Sequence, residues 1–273
     1  MIAQTICSIL LLITMFLLEF NMEVTEMGFA SNLNALMIVF GGTFFATLIA
    51  YPWGKLVFTA RLLKKTFAGS VEIASTIQTI VNLARIYRTK DIRSLEQEVN
   101  HLPPGLLKIG VELIAYKYSR ENIEQILQSE AVSAYNQYAT SHKILSSMAR
   151  LAPALGLAGT IVSLIRIFGH IDNQQGLIGY MAVALLCTLY GVILANLCFV
   201  PLSNKLKEFM DQDELRMEMI KEGILDLYDH EHPRSIQFKL ETLTGAMGTP
   251  DRTSTRPKLV LLSSYEKARG ING

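Results

Sequence analysis

Leu151-Ala-Pro-Ala-Leu-Gly-Leu-Ala-Gly-Thr160 opens one apolar run, and Met181-Ala-Val-Ala-Leu-Leu-Cys-Thr-Leu-Tyr-Gly-Val-Ile-Leu-Ala-Asn196 lies inside a second that ends at Pro201. Each run has about the 20 residues that a helix needs to cross a bilayer. The polar break between them, Gly169 to Gly176, has room only for a tight reversal, so the pair predicts a transmembrane hairpin. Ala152, Gly156 and Thr160 recur every four residues, and Ala184, Thr188, Gly191 and Ala195 at four, three and four, which places each set on one helix face. Small faces let helices approach closely in lipid, either within the hairpin or around a partner helix.

Outward from the hairpin, the chain of 273 residues is 50% hydrophobic and only 18% charged, the balance of a membrane protein with a substantial water-exposed part. A net charge of +1 without a concentrated basic face argues against nucleic acid as a partner. Cys7, Cys187 and Cys198 all fall in apolar runs and read as small reduced hydrophobes. The N-terminal run lacks a basic leader and a small-residue cleavage site, so it reads as a retained helix.

Ile2 to about Phe20 forms an expected first span, followed by an acidic connector with Glu23 and Glu26. Asn34 to Ala50 forms the second, with Gly41-Gly-Thr43 as a close-packing spot and Tyr51-Pro-Trp53 as an interfacial stop. Lys55, Arg61, Lys64 and Lys65 follow the second span and Lys205 and Lys207 the fourth, whereas residues 21–33 hold no Lys or Arg. The positive-inside rule then puts both termini in the cytoplasm. The expected fold is all-α, an integral membrane protein with four transmembrane helices and a cytoplasmic helical domain. Residues 1–53 carry helices one and two, 54–143 the cytoplasmic domain, 144–203 helices three and four, 204–245 a cytoplasmic helical tail, and 246–273 a flexible C-terminus.

No ionisable residue falls at mid-depth in these spans, since Glu19, Arg150 and Arg166 stand near interfaces. If ions pass, a partner supplies the carboxylate. The spans themselves offer hydroxyls: Thr160 and Thr188, at similar distances from the cytoplasmic ends of their helices, with Tyr190 close by. Pro153 and Pro201 match in depth by the same count, either as simple kinks or as flexing points that carry motion into the cytoplasmic domain. The segment containing Arg85, Arg88, Lys90, Asp91, Arg93, Glu96 and Glu98 is a solvated helix face or an electrostatic docking surface. His230-Glu231-His232 reads as exposed polar residues at a helix end rather than as metal ligands. Phosphate loop, zinc spacing and nucleophile elbow are all missing, which argues against an enzyme, a metal or a cofactor.

The hairpin motifs, together with Ala195-Asn-Leu-Cys-Phe-Val-Pro201, Asn204-Lys-Leu206, Glu222-Gly-Ile-Leu225 and Pro233-Arg234, closely resemble the flagellar motor stator A subunits, MotA/PomA, within the MotA/TolQ/ExbB proton channel family. The resemblance runs from about Gly41 to Leu240. It implies a homopentamer in the bacterial inner membrane around a MotB/PomB-like B subunit, whose aspartate carries the ion, and torque on the rotor protein FliG in flagellar rotation and chemotaxis. On it, Thr160 and Thr188 correspond to pore-lining hydroxyls, Pro153 and Pro201 to the family's paired prolines, and Arg88 and Glu96 to the rotor contact. Asp91 stands where a glycine is usual between those last two, and the first span lacks the family's glycines. Cys187 stands where sodium-driven members have a second threonine, and a thiol is a poor ligand for a hard cation. The transported ion expected is therefore H+, with Na+ as the alternative.

Two other readings are an energiser of outer-membrane processes like TolQ or ExbB, which have three spans, and a non-conducting membrane scaffold. Four spans predict that cysteines introduced in the 21–33 connector react with an impermeant thiol reagent added outside the cell. Protection there, with reaction only after permeabilisation, contradicts the four-span topology.

Overall fold

The computed structural model describes residues 29–68, 73–89, 98–99, 101–169 and 174–245. The expected first span, the acidic connector up to residue 28, Asp91, Glu96 and the tail from residue 246 lie outside them. The secondary structure of the described residues is helical. Helix α1 (Phe29–Leu36) passes through a π-helical turn (Met37–Gly41) into α2 (Gly42–Ala50). Then follow α3 (Trp53–Ala68), α4 (Ile73–Thr89), α5 (Leu106–Ala115), α6 (Arg120–Gly169) and α7 (Gln174–Ile193). A second π-helical turn (Leu194–Phe199) leads into α8 (Val200–Tyr228), and α9 (Pro233–Leu243) closes the described chain.

Among the described residues three stretches are long and apolar enough to span a bilayer: Leu33–Ala50, and parts of the continuous helical segments Arg120–Gly169 and Leu177–Tyr228. The expected boundary between the helical domain and the third span, at residues 143 and 144, falls inside one helix. α6 runs unbroken through 50 residues, about 75 Å at the usual rise. The hydropathy changes near Leu151, but no glycine or proline interrupts residues 120–150, so the backbone ladder continues across the change in solvent. The expected continuation of the fourth span's helix beyond its apolar run is seen, with α7 and α8 joined through the π turn.

The cytoplasmic core is assembled from one face of each of five helices. Ile77, Ile80 and Ala84 of α4, Val111 and Ile114 of α5, and Ile123 and Leu127 of α6 close on Met219, Ile224 and Leu227 of α8 and on Ile236 and Leu240 of α9. Gly110 is required by this packing, because a Cβ there would lie 2.7 Å from Ile224. Nearer the membrane, Leu62 of α3 packs with Leu145 of α6 and Leu206 and Phe209 of α8. Tyr138 donates its hydroxyl to the buried Asp213, and burial plus that neighbouring charge push the phenol up to about 12. Asp213 also pairs with Arg216 at 2.6 Å.

The hairpin seam is a backbone contact. A Cβ on Gly156 would stand 2.7 Å from the Cys187 carbonyl oxygen, and one on Gly191 would stand 2.8 Å from the Ala152 carbonyl oxygen. On α6 the buried seam is Ala152, Gly156, Gly159 and Ser163, not the four-residue series ending at Thr160. An α-helix turns about 100° per residue, so two four-residue steps carry Thr160 about 80° round from Ala152, whereas Gly159 comes back to within about 20° of it.

Lys239 of α9 reaches Asp226 at 2.7 Å and Glu222 at 3.2 Å on α8. Asp226 Oδ2 is buried without a partner. Burial, with Glu231 and Glu222 nearby, raises the Asp226 carboxyl above its ordinary range despite the Lys239 ammonium. An acid whose pKa is higher in the folded than in the unfolded state contributes stability below the unfolded value and loses it as pH rises through the folded one. Asp226→Asn is therefore expected to flatten the dependence of melting temperature on pH across that window, with no loss of stability on its alkaline side.

Two substitutions test the seam. Gly156→Leu is expected to cost at least the ~1–3 kcal/mol of an overpacked core, read as loss of the folded protein in detergent. Gly179→Ala, at a site with nothing within 4 Å, is expected to leave stability unchanged or improved.

Candidate functional site

The seam sets a register that places the rest of the hairpin. Gly156 faces Gly191, and Ser146 Oγ meets Ser203 Oγ at 3.0 Å nearer the cytoplasm. In that antiparallel register Thr160 and Thr188 stand at about the same level. Thr188 is exposed and Thr160 partly so, both at the rim of the buried seam rather than inside it. Thr160 Oγ1 donates to the Leu157 carbonyl at 2.6 Å, which leaves its oxygen able to accept. Thr188 interrupts an exposed stripe otherwise made of Met181, Leu185 and Val192. The arrangement is a hydroxyl pair on the outer surface of two apolar helices.

Tyr190 does not join that pair. Two residues further on is about 200° round the helix, and Tyr190 packs with the cluster of Ala35, Val39, Leu186 and Cys187 between α1 and α7. Nor does Cys187 share the face of Thr188. It is fully buried, and its thiol sits where a Cβ on Gly159 would come within 2.7 Å. The prolines are also offset in depth. The register sets Pro153 beside Gly191 and the start of the π turn and Pro201 beside residues 144–148, nearly two turns apart, roughly 9 Å. Pro153 lies inside the unbroken α6. Pro201 lies two residues past a π turn, a distortion suited to a place where proline removes a ladder donor.

Sequence reading missed Gly159, and it missed Asn196, an exposed amide within the second apolar run that donates to the Val192 carbonyl at 3.0 Å. A lone Asn between Ala195 and Leu197 was the available signal for the latter. At the other end of the molecule Arg88 is exposed in the last turn of α4. Its expected companion Glu96 lies outside the described residues. An open groove of about 810 Å³ runs between α3 and the cytoplasmic part of α6, lined by Lys55, Phe58, Gln125, Gln128, Asn136 and Ser141, away from the hydroxyl pair. Neither histidine of the 230–232 segment is set out as a ligand: His230 stacks on Tyr87 and His232 accepts the Arg234 N–H as the cap of α9.

Residues 98–219, the stretch that contains α5, the long α6, the hairpin and most of α8, match the sequence profile of the MotA/TolQ/ExbB proton channel family. Over those residues the chain is similar to members of that family. Similar members include the chemotaxis protein PomA of Vibrio alginolyticus, 28% identical over 79% of this chain and 85% of the relative. Motility protein A of Borreliella burgdorferi is 32% identical over 62% of this chain and 65% of the relative. Among solved structures, the C. jejuni MotAB structure superposes with a TM-score of 0.79 at 21% identity, covering 94% of this chain and 100% of that one. The MotAB stator complex of Bacillus subtilis gives 0.67 at 22% identity, covering 87% of each chain. At these identities the superpositions establish the fold.

In this chain the residue at 187 is buried against Gly159, not on the surface that carries Thr188. Cys187→Thr is therefore expected to leave ion preference unchanged while costing about 1 kcal/mol or more from crowding in the seam. Parallel flux assays in sodium-free and sodium-containing buffer, with thermal stability of the same preparations, check both.

Proposed function

We propose that this chain is the A subunit of a flagellar stator, which with a MotB-like B subunit forms an ion channel and converts ion-motive force into torque on the rotor. The observation that carries the reading is the level pair Thr160 and Thr188, exposed on spans that hold no Asp, Glu, Lys, Arg or His from Leu151 to Ile165 or from Gln174 to Asn204. Such a surface solvates a passing ion with hydroxyls but cannot bind it by charge, so it needs a carboxylate-bearing helix laid against it. The B subunit supplies that helix. The matching family is one of proton channels, and protons are the ion proposed here, with sodium as the alternative. The assembly proposed is a homopentamer around the B subunit in the bacterial inner membrane, with both termini cytoplasmic and Arg88 and Glu96 turned to the torque ring protein FliG. The similarity to PomA and to motility protein A supports the stator over the TolQ/ExbB-like reading.

The test is proton flux, followed by a pH dye in vesicles, from this chain with and without a B-type partner whose plug segment has been removed. Flux is expected only with the partner and without sodium. Thr188→Val is expected to cut that flux at least several-fold while leaving assembly and melting temperature unchanged, because the side chain is exposed and the shape is kept. Full flux in that variant removes the hydroxyl pair from the path, and no flux in any sample returns the chain to the scaffold reading.

A further inference from the structure

α8 ends on a histidine in the left-handed conformation, with His230 at a φ of 55°. Its N–H donates to the Leu227 carbonyl at 3.2 Å and the Glu231 N–H donates to the Asp226 carbonyl at 3.0 Å. These two bonds make a Schellman cap, whose left-handed position usually takes glycine because a Cβ crowds the neighbouring carbonyl. A histidine here is therefore disfavoured by its own backbone, and something must offset that. Its ring supplies the offset by lying flat on Tyr87, with centroids 4.6 Å apart and planes 12° from parallel. Tyr87 is half-buried against the cytoplasmic core and immediately precedes Arg88 in the last turn of α4. The residue before the histidine, Asp229, accepts from Arg120 Nε at 3.1 Å at the start of α6. Residues 229 and 230 thus join the ends of three helices.

We propose that His230 is a positioning residue, whose ring stacks on Tyr87 to fix the last turn of α4 and so sets the direction in which Arg88 meets the rotor. The inference rests on the reading of Arg88 as a rotor contact. A side chain kept at a conformationally costly position for the sake of one contact is worth more to the place it aims at than to the stability of its own helix. That difference separates positioning from simple packing.

The test uses the complete stator with its B-type partner. His230→Gly relieves the backbone and removes the ring, and His230→Asn, also tolerant of the left-handed region, removes the ring alone. Both are expected to leave ion flux intact and the melting temperature of the glycine variant unchanged or higher, while recruitment to the rotor falls roughly three- to tenfold, the scale of one lost aromatic pair. His230→Phe, which keeps a ring, is expected to restore recruitment. Recruitment that stays normal in the glycine variant overturns the proposal, as does recruitment that falls only in step with the melting temperature. Arg88→Glu serves as the control. If it too leaves recruitment normal, the rotor reading itself fails. If it impairs recruitment while His230→Gly does not, only the positioning role fails.

Discussion

The contact of backbone with backbone between Gly156 and Gly191 determines more of this molecule than any other interaction described. With Cβ positions that would fall within 2.8 Å of facing carbonyl oxygens, neither residue admits a side chain, and the two helices meet in one register. In lipid there is little hydrophobic gain from pressing apolar helices together, so this closeness, and the dispersion it allows, is what holds them. Depth then follows from register. Thr160 and Thr188 become level, Cys187 is turned into the seam, and the Ser146 to Ser203 contact ties the two helices just beyond their apolar runs.

The cytoplasmic part depends on the same two helices. α6 and α8 are the membrane helices continued into water, and the other helices collect on them. α5 and α9 pack on the distal part of α8, α4 fills the space between them, and α3 bridges both rods just below the membrane. The apolar stripe on each rod changes use along its length without a break in the backbone. It meets the partner rod and α1 in the membrane and the core of the helical domain below it.

Much of this is legible from residues alone. Two 20-residue apolar runs with a polar break force a hairpin. The missed features share a cause. Strict four-residue spacing drifts round a helix, so Thr160 looked like seam and Gly159 did not. Tyr190 looked like a companion of Thr188 because it is near in sequence, yet two residues apart on a helix means nearly opposite faces. Counting from the ends of each span put Pro153 and Pro201 level, whereas the register is set by glycines that the count did not include. The π turns at Met37–Gly41 and Leu194–Phe199 have no pattern in the sequence at all, because they answer to packing across helices rather than to local preference.

The unbroken α6 also has a mechanical meaning. From Pro153, near the cytoplasmic face, to Arg120 at the far end of the domain, the helix forms an arm of roughly 50 Å. A change of only about 10° at the proline swings the far end by about 9 Å, more than a full turn of helix. A bend at the proline is thus about five times larger at Arg120 than at Thr160, because one arm is roughly 50 Å long and the other roughly 10 Å.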